Sequence, residues 1–175
     1  LGFGQVDLSW HEFLLGHKLN MLTIHGRTVK EMSKVPAHWD IIGEVAKLRT
    51  SLAPDTLIVG NGDVMTREQG LQLAEEHGLD GIMVGRGVFH DPYVFAEQSP
   101  WGEMTKQQKI DLYTKHVKLF EKTWGDVGRR MVTLNKFCKI YIEGFPNAKE
   151  FREQLMGTQT IDELLVLLSE AGQTT

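Results

Sequence analysis

The sequence is poor in the features that define several common classes of protein. It contains one cysteine, Cys138, so it holds no internal disulfide framework and no cysteine-based zinc motif. The longest apolar runs, such as 57–60 and 81–84, are far too short to span a bilayer. It has no G-x-S-x-G elbow, and no G-x-G-x-x-G lies between a strand and a helix. These absences predict a cytoplasmic protein with no membrane span and no structural metal.

Basic charge is scarce overall but concentrated in one segment. The formal net charge is −4, and residues 1–104 carry 8 Lys and Arg against 14 Asp and Glu. Residues 105–141, by contrast, carry 9 against 3. Such a distribution is typical of a face that meets phosphate, although a solvated helix face rich in lysine would look the same. The candidate RNA contacts are Lys106, Lys109, Lys115, Lys118, Lys122, Arg129, Arg130, Lys136 and Lys139.

The first hundred residues alternate between strand and helix patterns. Short apolar runs predict strands at Met21–Ile24, Thr56–Val59 and Gly81–Val84, and helical spacing predicts helices at Trp10–Leu19 and His38–Leu52. This alternation is typical of parallel strands covered by helices, in an open doubly wound sheet or in part of a closed barrel. Polar residues directly after the strands favour the barrel, whose chemistry lies at that rim. We predict about four strand–helix units.

Capping signals predict where further helices in this part begin. Thr66 and Gln69 fit a capping box, in which Gln69 reaches back to the N-cap, and Gly78 is expected to end the helix that follows. Asp91-Pro92 fits an N-cap followed by proline at the first helical position.

Strand patterns stop after Pro100. A capping box at Thr105 opens a helix with one apolar stripe, and further helices are predicted at Met131–Ile142, at Ala148–Met156 and after Thr160. We therefore predict a small all-α helical bundle as a separate domain, with residues 1–98 in the first domain and residues 99–175 in the second.

Two glycine-containing loops follow consecutive predicted strands. Asn61-Gly62-Asp63 comes after one strand, and Gly85-Arg86 comes after the next. Glycine lets the backbone approach a ligand closely, and a guanidinium suits bidentate contact with phosphate. Each loop alone is better explained as a structural turn. Together, the two loops predict a phosphate cradle.

Three other positions could carry chemistry. His25 and Arg27 also follow a predicted strand, where a histidine could hold a cofactor or substrate because its pKa is easily tuned across neutrality. A rim histidine bonded to a backbone carbonyl is the equal alternative. Cys138 lies on a predicted helix and is better explained as a small buried hydrophobic residue than as a nucleophile.

Taken together, these motifs resemble the tRNA-dihydrouridine synthases. The resemblance rests on Leu22–Thr28, Trp39-Asp40-Ile41, Ile58–Asp63 and Asp80–Gly87 in that order, and on the tail from Arg129 through Pro146. It implies the C-terminal half of a TIM (β/α)8 barrel that binds FMN, followed by a helical tRNA-binding domain. It also implies reduction of uridine to 5,6-dihydrouridine in tRNA, with NADPH as the reductant of the flavin.

The resemblance further implies roles for individual residues. His25 would contact FMN, Arg27 is a possible active-site contact, and the basic helical segment would bind tRNA. The family's catalytic cysteine, a flavin-contacting glutamine and a Lys-x-Arg lysine are expected upstream of residue 1, so the chain by itself is expected to be inactive. Two open sheet edges predict that the half-barrel self-associates. The predicted phosphate site consists of Asn61, Gly62, Asp63, Gly85 and Arg86.

Two other functions are compatible with these patterns. One is an FMN-dependent barrel oxidoreductase that acts on a small molecule, similar to dihydroorotate dehydrogenase. Such an enzyme has no need of the basic helical tail, which is the feature that distinguishes the two. The other is a non-catalytic RNA-binding module.

Overall fold

The computed structural model describes residues 1–173, and the chain divides into two compact units. Leu1–Ser99 forms the first unit, named the sheet unit here, and Pro100–Thr175 forms the second, named the helical unit. Among the described residues, no helix combines the length and the apolar character that crossing a bilayer requires.

The sheet unit is built on three parallel strands. These are β1 (Met21–His25), β2 (Leu57–Asn61) and β3 (Gly81–Met83), in the order β1-β2-β3. The register pairs His25 with Asn61 and Asn61 with Met83. Because parallel strands all end at the same edge, the loops after the three strands lie side by side.

Helices form the core of the sheet unit with one face of the sheet. The helices are α1 (Leu8–Gly16), α2 (Trp39–Leu52) and α3 (Arg67–His77). Ile24 and Ile58 of the strands are buried in one cluster with side chains of α1 and α2. In α2, the buried residues Ile42, Val45 and Ala46 follow the spacing of one helix face. The opposite face of the sheet exposes Met21, Leu57 and Met83.

The predicted cap of α3 is confirmed in part. The Thr66 hydroxyl accepts from the Gln69 N–H at 3.1 Å, and Gly78 ends the helix with φ of +65°. The other half of the predicted capping box differs, because the Gln69 side-chain oxygen accepts from the Met65 N–H at 2.8 Å instead of the N–H of the N-cap residue Thr66. Gln69 therefore holds the residue before the N-cap as well as the helix start.

Two predictions for the sheet unit are wrong. The described residues contain three strands, where about four strand–helix units were expected, and the start of the chain adds only a single bridge from Gly2 to Thr28. The chain turns back immediately, with the Asp7 N–H donating to the Leu1 carbonyl at 3.0 Å. No α-helix begins at Asp91-Pro92 either, because the Asp91 carboxylate accepts from the Tyr93 N–H at 2.7 Å and closes a local turn.

The helical unit contains helices and no strand among its described residues. Both hydrogen bonds of the predicted capping box at Thr105 are present. Ile110, Tyr113 and Val117 of the long first helix are buried, as are Leu164 and Leu168 of the last. The helices are α4 (Lys106–Trp124), α5 (Val132–Asn135), α6 (Cys138–Tyr141), α7 (Ala148–Gly157) and α8 (Ile161–Gln173).

The prediction of one continuous helix over Met131–Ile142 is wrong. Two four-residue helices, α5 and α6, replace it. Asn135 is buried at the break, and its side-chain amide donates to the Thr158 carbonyl at 3.2 Å. Asparagine is a weak helix former, and this distant hydrogen bond favours the interrupted backbone.

Candidate anion site

A cavity of about 410 Å³ lies at the edge of the sheet where the three strands end. The loops after β1, β2 and β3 each contribute part of its lining. Every residue that the sequence singled out as a cofactor or active-site contact lines this one cavity: His25, Arg27, Asn61, Gly62, Asp63, Gly85 and Arg86. Their ligand roles remain predictions, but their convergence is a property of the fold.

Gly62 lets the β2 loop turn sharply at the cavity. Its φ is +143°, and the next residue, Asp63, has a φ of +52°. A Cβ at Gly62 would lie 2.5 Å from the Cβ of Ala37, so no larger residue fits without a backbone shift. This turn directs the Asp63 carboxylate towards the loops on either side.

Asp63 is the centre of an ion-pair network. One carboxylate oxygen, Oδ2, accepts from the Arg27 guanidinium and, at 3.0 Å, from the Ala37 N–H. The other oxygen lies 3.3 Å from the guanidinium of Arg86. The hydrogen bond from Arg27 is the main cause that lowers the pKa of Asp63, and it keeps the carboxylate ionised at neutral pH.

The two arginines differ in how much of each remains available to a ligand. Arg27 is 5% exposed, and its Nε donates to the Val35 carbonyl at 2.6 Å. The Arg86 side chain is 61% exposed. Two guanidiniums face one carboxylate, so the cluster has an excess positive charge. The cavity is therefore suited to an anion, with Arg86 as its accessible cation.

The loop between β1 and α2 is stabilised by hydrogen bonds to the carboxylate of Glu31, which belongs to the same loop. Glu31 accepts from the Thr28 N–H at 2.7 Å and lies 2.9 Å from the His38 ring nitrogen Nε2. These hydrogen bonds, that of Thr28 first, lower the pKa of Glu31 to about 2. Arg27 and Ala37, which lie in the same loop, are thereby kept in place beside Asp63.

Asn61 and His25 border the cavity as neighbours in the sheet. The Asn61 amide donates to the Met83 carbonyl at 2.7 Å, so it links the ends of β2 and β3. The pKa of His25 is lowered, first by partial desolvation and then by the Arg27 guanidinium. Its imidazole is therefore neutral at neutral pH and can donate one hydrogen bond and accept another.

The nine basic candidates of the helical unit lie in different local environments. Lys115, Lys118 and Lys122 are exposed and share one face of α4, at spacing i, i+3 and i+7. Lys109 lies over the Trp101 ring at 4.4 Å and Lys106 lies 5.6 Å from the Phe145 ring centre. The remaining four are exposed: Arg129, which lies 4.6 Å from the Trp124 ring centre, Arg130, Lys136 and Lys139.

Cys138 lies neither at the cavity of the sheet unit nor among the exposed basic residues of the helical unit. It is fully buried in the helical unit, and burial raises the pKa of its thiol. The interpretation as a small core residue is confirmed. Among residues 1–173, no group of three His, Cys, Asp or Glu side chains converges as ligands for a metal ion.

Several residues at the cavity were not found from the sequence. His90 lies four residues after Arg86, and its place in the loop after β3 is the signal that could have identified it. Gly87, the last residue of the Gly85-Arg86-Gly87 sequence, also lines the cavity. The Ala37 N–H carries no sequence signal at all, because it is a backbone group in a loop. Val64 and Met65 complete the lining.

The geometry defines an α/β protein with a cavity suited to an anion at the carboxyl edge of a parallel sheet. The chain belongs to the dihydrouridine synthase family, whose model, described as "Dihydrouridine synthase (Dus)", matches residues 13–174. This confirms the resemblance found in the sequence.

Curated relatives agree with the family assignment. A "Probable tRNA-dihydrouridine synthase" of Staphylococcus aureus is 44% identical over 172 residues, which is 97% of this chain and 52% of that protein. A "Probable tRNA-dihydrouridine synthase 2" of Bacillus subtilis is 43% identical over 173 residues, with the same two shares covered. The chain therefore spans about half the length of the curated relatives that it matches.

Proposed function

We propose that this chain forms the flavin-phosphate site and the RNA-binding surface of a tRNA-dihydrouridine synthase. In this proposal, uridine in tRNA is reduced to 5,6-dihydrouridine with FMN as cofactor and NADPH as reductant. The observation that carries the proposal is the convergence of Arg86, Asp63 and the glycine loops on one cavity after adjacent parallel strands. The printed names of the relatives support the choice of tRNA as substrate.

The sheet unit is proposed to be part of a β/α barrel. Three parallel strands with helices packed on one face are compatible with an arc of such a barrel. The exposed apolar side chains on the other face, Met21, Leu57 and Met83, would then point towards the barrel interior. Since this face is uncovered in the chain alone, we expect the isolated chain to self-associate. A monomer at high concentration in light scattering would contradict this.

The cavity offers the hydrogen-bond donors and positive charge that the phosphate of FMN would need. Arg86 would bind the phosphate, Gly85 would let the backbone approach it, Gly62 would allow the sharp turn of the β2 loop, and Arg27 would add positive charge. When bound, the flavin would supply the hydride that reduces the pyrimidine ring. The neutral imidazole of His25 would hold a hydrogen bond to the cofactor. No residue of this chain is proposed as the proton donor, because Cys138 is buried.

Titration with two flavins tests the phosphate site. Riboflavin lacks the phosphate of FMN, so backbone-amide NMR titrations with each measure what the phosphate contributes, even when binding is weak. We expect FMN to bind about tenfold more tightly, the effect of one charge-assisted contact. Arg86→Ala should remove this preference, whereas Lys47→Ala, an exposed position on α2 outside the cavity, should retain it. Equal affinities for the two flavins would reject the phosphate site and leave the non-catalytic RNA-binding module as the better reading.

The RNA surface is proposed to centre on Lys115, Lys118 and Lys122. Lys106 and Lys109 are expected to contribute less, because both lie beside aromatic rings on the core side of α4. Phosphate contacts make affinity fall with salt, with a slope that grows by about 0.7 to 0.9 for each contact. A strong salt dependence of binding to a tRNA transcript would also distinguish this function from that of a small-molecule oxidoreductase.

Single substitutions test that surface. Lys118→Ala should reduce the magnitude of the salt slope for a tRNA transcript by about 1, as expected for a lost phosphate contact. Lys149→Ala, an exposed lysine of α7 that lies outside the basic segment, is the matched control and should leave the slope unchanged. Equal effects of the two substitutions would show that only net charge matters.

A further inference from the structure

A carboxylate in the middle of a proposed phosphate site needs an explanation. Asp63 lines the same cavity as Arg86, and a negative charge there repels a phosphate dianion. A glycine or an asparagine would also tolerate the φ of +52° at this position. Backbone conformation alone therefore does not account for an aspartate.

The contacts of Asp63 indicate what the carboxylate does. Oδ2 accepts from Arg27 and from the Ala37 N–H, and so ties two points of the β1–α2 loop to the β2 loop. Oδ1 lies 3.3 Å from the Arg86 guanidinium, which belongs to the loop after β3. The Asp63 carbonyl accepts from the Gln69 side chain at 3.3 Å, which ties the same residue to the start of α3. A single residue thus joins the three loops that form the cavity.

We propose that Asp63 is a positioning residue for the anion site: its carboxylate holds the exposed Arg86 guanidinium at the cavity and orients it towards the phosphate. Arg27, which is buried and bonded to the Val35 carbonyl, offsets the charge of Asp63. Arg86 then remains as the net positive charge available to the ligand. This inference rests on the proposed phosphate site.

The substitution Asp63→Asn separates positioning from charge, because the two predict opposite results. If the carboxylate only repels phosphate, its removal tightens FMN binding. If it positions Arg86, FMN binding weakens even though a repulsive charge has gone, because an amide cannot accept from both arginines and the Ala37 N–H at once. We expect the preference for FMN over riboflavin to fall about tenfold, the loss of one charge-assisted hydrogen bond. Riboflavin affinity should not change.

A double-substitution cycle tests whether Asp63 acts through Arg86. In the Arg86→Ala background, where the FMN preference is already lost, Asp63→Asn should not lower the affinity for either flavin, whereas a general structural defect would lower the affinity for both flavins in both backgrounds. Asp55→Asn, an exposed carboxylate between α2 and the start of β2, is the charge-matched control and should have no effect. All variants are titrated with FMN and riboflavin by backbone-amide NMR, which also reports whether each one is folded.

The outcomes are distinguishable. An Asp63→Asn variant that keeps or gains FMN preference, while Arg86→Ala loses it, overturns the positioning role and leaves the phosphate site standing. A wild-type chain without any FMN preference rejects the phosphate site itself. If Asp63→Asn does not fold, Arg86→Lys decides. It retains the charge without the planar fork, and it should lose most of the preference, since lysine cannot hold both Asp63 and a phosphate in fixed geometry. Full preference in Arg86→Lys contradicts the proposal.

Discussion

The two units use charge in different ways. In the sheet unit, several charged side chains are bonded to one another, as in the Arg27–Asp63–Arg86 cluster and the Arg49–Asp80 pair at 3.2 Å. In the helical unit, several cations are exposed or lie over aromatic rings, as Lys109 does over Trp101, and Arg152 donates to the Ile142 carbonyl at 2.7 Å. A network of ion pairs fixes a small ligand in one position, whereas separate exposed cations suit an extended polyanion. The difference matches the two proposed ligands.

The largest effect is expected from a cavity in the core of the helical unit. Leu164 is fully buried in α8, and Leu164→Ala should lower the free energy of unfolding by about 2 to 5 kcal/mol. Because each unit has its own core, amides of the helical unit should lose their signals at a lower denaturant concentration than those of the sheet unit. Leu119→Ala, at an exposed position of α4, should cost less than about 0.5 kcal/mol. If the amide signals of both units disappear at the same denaturant concentration in Leu164→Ala, the two units unfold in one cooperative step.

A smaller effect, confined to the sheet unit, is expected at the β2 loop. Gly62→Ala forces a left-handed φ on alanine and a close contact with Ala37, at a cost of about 2 to 4 kcal/mol. Gly16→Ala, where nothing lies within 4 Å of the added methyl, should change the stability by less than about 1 kcal/mol. Chemical denaturation measures both. If Gly62→Ala is as mild as Gly16→Ala, the strained turn is not required.

The smallest effect concerns pH. Burial lowers the pKa of His11 in the sheet unit and of His116 in the helical unit, and partial desolvation lowers that of His25 in the sheet unit. The unfolded histidines, with a pKa of about 6.5, take up protons before the folded ones do, so stability is full above that pH and is lost as pH falls below it. We expect a loss of up to about 1 kcal/mol between neutrality and mildly acidic pH, larger in the sheet unit.

A substitution at His11 tests which histidine causes this loss of stability. His11 is 4% exposed, which is less than His25 or His116, and its burial is the largest cause of its lowered pKa. The hydrogen bond from its Nδ1 to the Asp7 carbonyl at 2.8 Å opposes that shift only in part, so His11 should contribute most. His11→Gln should flatten the pH dependence of the sheet unit, as followed by denaturation at several pH values. An unchanged slope would assign the loss to other groups.

Much of the fold could be predicted from the sequence because the signals are local. The caps at Thr66 and Thr105 depend on residues three positions apart. The box at Thr105 forms as predicted, and at Thr66 the hydroxyl caps the helix as predicted whereas the Gln69 side chain binds the Met65 N–H instead. The break at Asn135 could not be predicted, because it depends on a hydrogen bond to Thr158, which lies 23 residues away. The absence of a helix after Asp91 has a different cause. The Asp91 carboxylate can either cap a helix or close a local turn, and the sequence does not show that it closes the turn with the Tyr93 N–H.

The candidate anion site shows the same difference between local patterns and long-range contacts. Its residue types could be identified from the sequence, since glycines and arginines directly after apolar strands are a local pattern. That Asp63 meets Arg27, 36 residues away, and Arg86, 23 residues away, follows only from the parallel pairing of the strands. The sequence by itself determined the alternation of strands and helices, the basic segment and the family, because periodicity, capping and motifs act over a few neighbouring residues. Tertiary structure alone decided which charges neutralise one another and which lysines face solvent, because both depend on the packing of distant segments.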